Sequence, residues 1–323
     1  MLYPLTFHPI FKERVWGGRS LETIYQKPLP PGKVIGESWE ISDRPGDASV
    51  IANGPLAGKN LRWLMEHHAD ELLGSASPHG DHFPLLIKIL DAQDKLSLQV
   101  HPPAALAAKL GGEPKTEMWY FAHTAPWSEV YAGLKRGVTR AEFEQKIATG
   151  EVGKCFHRLT VQTGDALFLP SGRVHAIGAG NVIFEIQQNS DTTYRVFDWN
   201  RTGLDGKPRE LHIADALASI DFKDFEPQLA AGKPVPGPNH TTRLLAKDPL
   251  FTVNEITLRA QEYHLPRLPR AQIIAVIQGG LTLQAGEISL DLQPGQFCLV
   301  PAALRTATLT ALTPATFLHI VPA

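Results

Sequence analysis

Four polar residues have types and spacings that suit a metal site. Gln99 and His101 lie two positions apart, Glu117 opens an apolar and aromatic run, and His175 follows a short turn. Residues two apart on a strand project from one face, so Gln99 and His101 are expected to point the same way. One amide oxygen, two imidazoles and one carboxylate, with no thiolate, suit Zn²⁺ or another divalent first-row metal and leave positions open for a substrate.

Each of these residues has a simpler explanation when it is taken alone. A single histidine near a strand is commonly a hydrogen-bonded polar residue, and a glutamine or glutamate is commonly a surface or capping group. The metal site is favoured because four suitable donors occur together on segments that are predicted to be strands.

The segment 164–175 (GDALFLPSGRVH) predicts a strand that ends in a turn and presents His175. An apolar run enters Pro170, Gly172 permits a sharp backbone reversal, and Val174 resumes the alternation. This arrangement places the imidazole at the mouth of a barrel.

The same pattern returns near the end of the chain. Residues 295–306 (GQFCLVPAALRT) repeat the interval from glycine to proline of the first segment. Ala303 stands where the first copy has Gly172, and Thr306 stands where it has His175. A strand–turn–strand unit used twice predicts two similar β-domains, of which only the first keeps the ligand.

The composition is that of an ordinary globular protein. The chain has 323 residues, 43% of them hydrophobic and 20% charged, which is enough for two domains. A net charge of −2 makes nucleic acid or a membrane surface an unexpected main partner. The first residues lack a basic region followed by an apolar core, so we expect a cytoplasmic protein. Cys155 and Cys298 are expected to be reduced core residues.

The chain divides into three parts by sequence pattern. Residues 1–225 are predicted to form an N-terminal catalytic domain with short helices, among them one that ends before Gly74 and one that Thr139 caps. The proline-containing stretch 226–240 is predicted to be a linker. Short predicted strands in 241–323 indicate a second, smaller β-domain.

Several motifs together resemble a known family. The G-x5-P-x-G-x2-H pattern resembles the second motif of cupins, which are double-sheet jelly rolls. Residues 97–102 (SLQVHP), 115–120 (KTEMWY), 172–176 (GRVHA) and 194–199 (YRVFDW) are similar to type I mannose-6-phosphate isomerases of the short bacterial form. The resemblance covers most of 1–222. It implies a mainly β fold of two cupin-like jelly-roll domains, with the short helices attached to the N-terminal one.

The resemblance also implies an activity. Family members interconvert mannose 6-phosphate and fructose 6-phosphate through an enediol, with one Zn²⁺ held by residues that match Gln99, His101, Glu117 and His175. Arg195 matches the arginine that is usually assigned as catalytic. Because a guanidinium stays protonated, we expect it to stabilise the enediolate rather than to abstract a proton.

Two assignments remain open at this point. The residues alone leave Arg195 equally able to form a buried ion pair, with Glu185 or Asp198, or to face an anionic substrate; the resemblance favours the substrate. The base is either Lys115, if burial beside the metal lowers its pKa, or a metal-bound hydroxide. Ser97, Lys115 and Arg195 are the candidate substrate-binding residues, and Lys115 and Arg195 are the candidate catalytic ones. Arg173 is a weaker candidate for the phosphate.

Two other functions fit the same donor set. A cupin of another class, such as an Fe(II) dioxygenase, would consume oxygen and would not need Lys115 or Arg195 near the metal. A sugar-phosphate-binding protein would be stabilised by its ligand but would form no product. We expect a small-molecule sugar phosphate as the partner, and the sequence gives no oligomeric state.

Overall fold

The computed structural model describes residues 2–76 and 81–323, which form strands and a few helices. The strands are β1 (Ile10–Gly18), β2 (Ile35–Ile41), β3 (Asp43–Arg44), β4 (Asp47–Ala48), β5 (Leu85–Ala92), β6 (Leu98–Val100), β7 (Glu117–Thr124), β8 (Glu129–Leu134), β9 (Phe156–Thr160), β10 (Ala166–Leu169), β11 (His175–Ile177), β12 (Asn181–Gln188), β13 (Tyr194–Phe197), β14 (Val235–Pro236), β15 (His240–Lys247), β16 (Phe251–Leu258), β17 (Glu262–His264), β18 (Gln272–Gln278), β19 (Leu281–Ala285), β20 (Ile288–Leu292), β21 (Phe297–Val300), β22 (Thr308–Thr310) and β23 (Ala315–Pro322). The helices are α1 (Ser20–Tyr25), α2 (Leu61–Leu73), α3 (Ala104–Ala107), α4 (Arg140–Ala148) and α5 (Ile213–Ser219). Each helix among the described residues is too short or too polar to cross a bilayer.

The chain forms two compact units, each discontinuous in sequence. We call one the central unit, which consists of Phe11–Ser38 and Lys88–Leu229. The terminal unit consists of the described residues of Met1–Ile10, Trp39–Ile87 and Ala230–Ala323. The described residues of 39–87 therefore belong with 230–323, whereas the sequence pattern places them in the N-terminal domain. The predicted boundaries at 225 and 240 stay a prediction.

The central unit is built from two sheets. One has the strand order β1-β2-β5-β12-β7-β10, and the other has the order β13-β6-β11-β8-β9. Apolar side chains from both sheets, such as Trp119 and Leu169 from the first and Val130 and Ile177 from the second, share one buried cluster. Burial of this surface, at roughly 25 cal/mol per Å², holds the sheets face to face.

The terminal unit repeats the two-sheet plan. Its sheets have the orders β14-β15-β16-β23-β18-β21 and β17-β22-β19-β20. The interior is filled by apolar residues, including Ile274, Leu283, Leu309 and Phe317, each with 1% exposure or less. A packed interior of this kind leaves little room for a ligand.

Two helix boundaries follow the local signals in the sequence. The side chain of Asn60 accepts a hydrogen bond from the Trp63 amide at the start of α2, and Gly74 is the residue after its end. Thr139 caps α4 by accepting from the Glu142 amide. Both predictions are confirmed, because capping depends only on neighbouring residues.

Candidate metal centre and active-site cavity

Three of the four predicted ligands converge in the central unit. His101 lies just after β6, Glu117 is the first residue of β7, and His175 is the first residue of β11. Their potential ligand atoms all lie within 4.8 Å of one another, and all three side chains are buried. The turn that carries His175 is tied to His101 directly, since the Gly172 amide donates to the His101 carbonyl at 2.9 Å.

Backbone carbonyls set the tautomer of both histidines. His101 Nδ1 lies 2.8 Å from the Thr192 carbonyl, and His175 Nδ1 lies 3.0 Å from the Arg173 carbonyl. A carbonyl can only accept, so each Nδ1 carries the proton and each neutral ring turns an Nε2 lone pair towards the centre. Burial and the charge of Lys115 lower the pKa of His101 to about 3, and burial also lowers the pKa of His175, which keeps both rings neutral.

Glu117 supplies the negative charge of the centre. Burial raises the pKa of its carboxyl, but the charge of the neighbouring Lys115 outweighs burial and holds the pKa well below its usual range. The carboxylate oxygens lie 3.5 Å from His101 Nε2 and 3.3 Å from His175 Nε2. Lys115 Nζ lies 2.7 Å from Oε2 and pairs with it, whereas Oε1 receives no hydrogen bond from the described residues.

This donor set fits a zinc ion. Two imidazole lone pairs face a fully buried carboxylate whose Oε1 has no hydrogen-bond donor among the described residues, and a buried polar atom without a partner is costly. A divalent cation would satisfy all three donors at once, and nitrogen and oxygen donors in this number leave further coordination positions open.

Gln99 borders the three donors. It pairs in register with His175 on one side and with Arg195 on the other. Its Nε2 lies 3.3 Å from His175 Nε2, and Ser97 Oγ donates to its Oε1 at 3.3 Å. A half-turn of the amide would exchange nitrogen and oxygen and aim Oε1 at the centre. Direct ligation by Gln99 stays a prediction.

The predicted substrate residues line one cavity of about 680 Å³, which also lies within the central unit. Its wall includes Ser97, Gln99, Lys115 and Arg195. The volume lies in the usual range for small-molecule sites. Four of the predicted site residues therefore surround one space beside the candidate metal centre.

Lys115 keeps its charge in this arrangement. Burial lowers the pKa of its amine, but Glu117 and Glu185 outweigh burial and raise the pKa above its ordinary value. A lysine that acts as a base would need a pKa below its ordinary value. The proposed roles of Lys115 in substrate binding and catalysis stay predictions.

Arg195 faces the cavity. Its Nη1 donates to the Glu210 carbonyl at 2.9 Å, while its buried Nε makes no hydrogen bond with the described residues. Asp198, one of the two ion-pair partners considered from sequence, instead pairs with Arg201 at 2.9 Å and with Arg209 at 2.6 Å. This leaves part of the Arg195 guanidinium available to a bound molecule.

Comparison with known proteins agrees with this geometry. Residues 5–113 match the family profile described as phosphomannose isomerase type I, catalytic domain. The probable mannose-6-phosphate isomerase GmuF of Bacillus subtilis (strain 168) is 41% identical over 70% of this chain and 71% of its own length. The mannose-6-phosphate isomerase ManA of the same organism is 36% identical over 93% of this chain and 94% of its own. This chain belongs to the type I phosphomannose isomerase family.

Solved structures of family members share the fold. The mannose 6-phosphate isomerase of Bacillus subtilis superposes with a TM-score of 0.90 at 30% identity and covers 99% of both chains. A zinc-bound mannose 6-phosphate isomerase has a TM-score of 0.79 at 18% identity, over 99% of this chain and all of that one. The predicted mainly β fold of two cupin-like jelly rolls is confirmed.

A group of charged residues in the cavity wall was not predicted from the sequence. Lys88 Nζ, almost fully buried, lies 3.4 Å from Glu37 and 3.5 Å from Glu185. Arg14 donates to Glu37 at 2.7 Å, and the Trp119 indole donates to Glu185 at 3.0 Å. The available signal was a lysine inside an otherwise apolar strand, since a buried lysine needs paired carboxylates.

Arg173 belongs to the framework of the turn. Its guanidinium forms two hydrogen bonds of 2.8 Å with Asp224 and donates to the Phe168 carbonyl. These contacts occupy the donors that a phosphate would need. This agrees with the lower rank of Arg173 among the phosphate-binding residues predicted from the sequence.

Proposed function

We propose that this protein interconverts mannose 6-phosphate and fructose 6-phosphate and that it uses one Zn²⁺ held by His101, Glu117 and His175, with Gln99 as the fourth donor. The observation that carries the proposal is the convergence of two neutral imidazoles on an ionised, buried carboxylate beside a cavity of substrate size. Its similarity to mannose-6-phosphate isomerases over most of the chain supports the choice of substrate.

The isomerisation moves a proton between two carbons. A base removes the proton from C2 of the aldose while O1 gains a proton, which gives an enediol across C1 and C2. O2 then loses its proton as C1 receives one, and the ketone forms at C2. Negative charge develops on the substrate oxygens during this step. The bound zinc would act as a Lewis acid that stabilises this charge.

The protein's own residues supply the remaining functions. Arg195 presents a permanent positive charge at the cavity wall and stabilises the enediolate. Lys115 and Ser97 bind substrate oxygens next to the centre. The carbonyls of Thr192 and Arg173 hold the two imidazoles in orientation, so that the site forms without rearrangement. The sugar phosphate is the proposed partner, and a cytoplasmic location stays a prediction.

The test is an isomerisation assay on purified protein. Fructose 6-phosphate is measured before and after chelation, and zinc, cobalt, manganese and iron are then restored separately. We expect chelation to remove activity and a divalent metal to return it. Metal-loaded protein that forms no fructose 6-phosphate would overturn the proposal, and oxygen consumption with iron would favour the dioxygenase class instead.

A further inference from the structure

His212 is held against Arg195 by one backbone hydrogen bond and one hydrogen bond to its side chain. The His212 amide donates to the Arg195 carbonyl at 2.8 Å, and the Arg195 amide donates to His212 Nδ1 at 3.3 Å. The Glu210 carbonyl accepts from the Arg195 guanidinium. The segment 210–212 therefore forms hydrogen bonds with both the backbone and the side chain of Arg195.

The second contact determines where the imidazole carries its proton. A backbone N–H can only donate, so Nδ1 of His212 must present its lone pair to Arg195. The ring proton of the neutral imidazole then lies on Nε2. The hydrogen bond at Nδ1 thus fixes the proton on Nε2, and His212 is a donor of fixed orientation.

His212 belongs to the wall of the cavity that contains the predicted substrate residues. His212 lines the same 680 Å³ cavity as Arg195, Lys115 and Ser97, and its side chain is 27% exposed. The carboxylate of Glu210 is 4.0 Å from Nε2, which is beyond hydrogen-bond distance, and is itself 84% exposed. Among the described residues Nε2 makes no hydrogen bond, so its N–H is available to a molecule in the cavity.

We propose that His212 is a substrate-binding residue whose Nε2–H donates a hydrogen bond to an oxygen of the sugar phosphate beside Arg195. The inference rests on the proposed function, because it assumes that the occupant of this cavity is the isomerase substrate. The inference assigns a substrate-binding role to a residue whose tautomer is fixed. Substrate binding then depends on the same segment, 210–212, that orients Arg195.

Two amide variants separate substrate binding from a structural role. In His212→Asn the side-chain amide reaches the position of Nδ1, so it can still accept from Arg195 but cannot reach the cavity. In His212→Gln the amide reaches the position of Nε2, so it can still donate to the substrate but loses the contact with Arg195. His212 precedes α5, and asparagine is favoured at that position of a helix, so His212→Asn is expected to fold.

The experiment measures kcat and KM for mannose 6-phosphate with zinc-loaded wild type and both variants, and measures mannose 6-phosphate binding by calorimetry. We expect His212→Asn to weaken binding and raise KM about tenfold, and His212→Gln to stay within about threefold of wild type. The reverse order would show that the imidazole only supports Arg195 and would overturn the inference, as would two variants that both bind like wild type.

The two proposals fail in different ways. Zinc-loaded wild type that forms no fructose 6-phosphate contradicts the function. A fully active wild type with an unaffected His212→Asn variant contradicts the role of His212 alone. Equal zinc content in all three proteins, measured by atomic absorption, shows that any loss of binding arises in the cavity and not at the metal.

Discussion

Glu117 and Gln272 occupy the same register position in two related strand pairs. Glu117 lies opposite Leu169 in β7 and β10, and Gln272 lies opposite Val300 in β18 and β21. Leu169 and Val300 are the residues before the proline in the two copies of the repeated segment. The terminal unit thus carries a neutral amide where the central unit carries a buried carboxylate.

The amide of Gln272 is satisfied without a cation. Its Oε1 lies 2.8 Å from Nε2 of the buried His319, and its Nε2 donates to the Pro266 carbonyl. By the same register His319, opposite Ile274, corresponds to Glu185, which lies opposite Trp119. An amide–imidazole pair replaces two carboxylates, so we expect metal to bind in the central unit only.

Glu117→Gln should therefore remove the metal. The substitution keeps the size of the side chain but removes the charge that draws a cation to the two imidazoles. We expect zinc content to fall from one per chain to near zero and activity to fall at least about 100-fold. His175→Ala should lose metal and activity together for the same reason.

His319→Gln is the matched control for Glu117→Gln. It alters the corresponding buried pair in the terminal unit and should leave one zinc per chain. Retention of stoichiometric zinc by Glu117→Gln would contradict the ligand assignment.

Arg195→Ala should separate turnover from metal binding. The guanidinium makes no contact with the three donors that converge, so zinc content should stay at one per chain while kcat falls by about 10² to 10³. Arg243, an arginine of the terminal unit paired with Glu255 at 2.9 Å, provides a control whose replacement by alanine should leave kcat unchanged. Full activity of Arg195→Ala would refute its proposed role.

His319 should make stability depend on pH. Burial lowers its pKa to about 4, against about 6.5 in the unfolded chain. Between these two pKa values the unfolded state binds a proton at His319 and the folded state does not. The contribution of His319 to the free energy of unfolding is therefore complete above about pH 6.5 and is lost as the pH falls towards 4. The slope is about 1.4 kcal/mol per pH unit.

Urea unfolding of wild type and His319→Gln between pH 4.5 and 7.5 measures this effect. Other buried histidines titrate in both proteins, so the difference between the two curves isolates His319. We expect wild type to lose stability towards low pH more steeply than the variant. Parallel curves would show that His319 does not resist protonation.

Asp224→Ala should lower the affinity for the metal, although Asp224 is not one of the proposed ligands. Without its partner, the Arg173 guanidinium no longer fixes the turn whose carbonyl orients His175, and loss of such support typically lowers metal affinity by about 10- to 100-fold. Competition with a chromogenic chelator measures the change. Glu226→Ala, which removes a surface ion pair with Arg136, should leave the affinity unchanged.

The metal site was predictable because its signals are local. Gln99 and His101 lie two residues apart, and the turn before His175 is defined by Pro170 and Gly172 in one short segment. The chemistry of the donor types then indicated a metal. The structure brings His101, Glu117 and His175 together as the sequence pattern predicts.

The charged cavity wall was not predictable from local pattern. Glu37, Lys88 and Glu185 lie on β2, β5 and β12, which are neighbours in the sheet but are distant in sequence. Strand order depends on long-range packing, which neither periodicity nor propensity encodes. Regular alternation also fails after Arg195, where the register shifts before Phe197 and Trp199 adopts a φ of 57°.

The contact between Arg173 and Asp224 limits how short a metal-binding fragment can be. His175 is the last predicted ligand, yet the turn before it is fixed by Asp224, 51 residues after Arg173, and by the Asp221 amide, which donates to the Gly172 carbonyl. A chain cut shortly after β13 would keep every donor atom and lose both of these contacts. The smallest piece suitable for transfer into another scaffold therefore extends past Asp224, well beyond the residues that touch the ion.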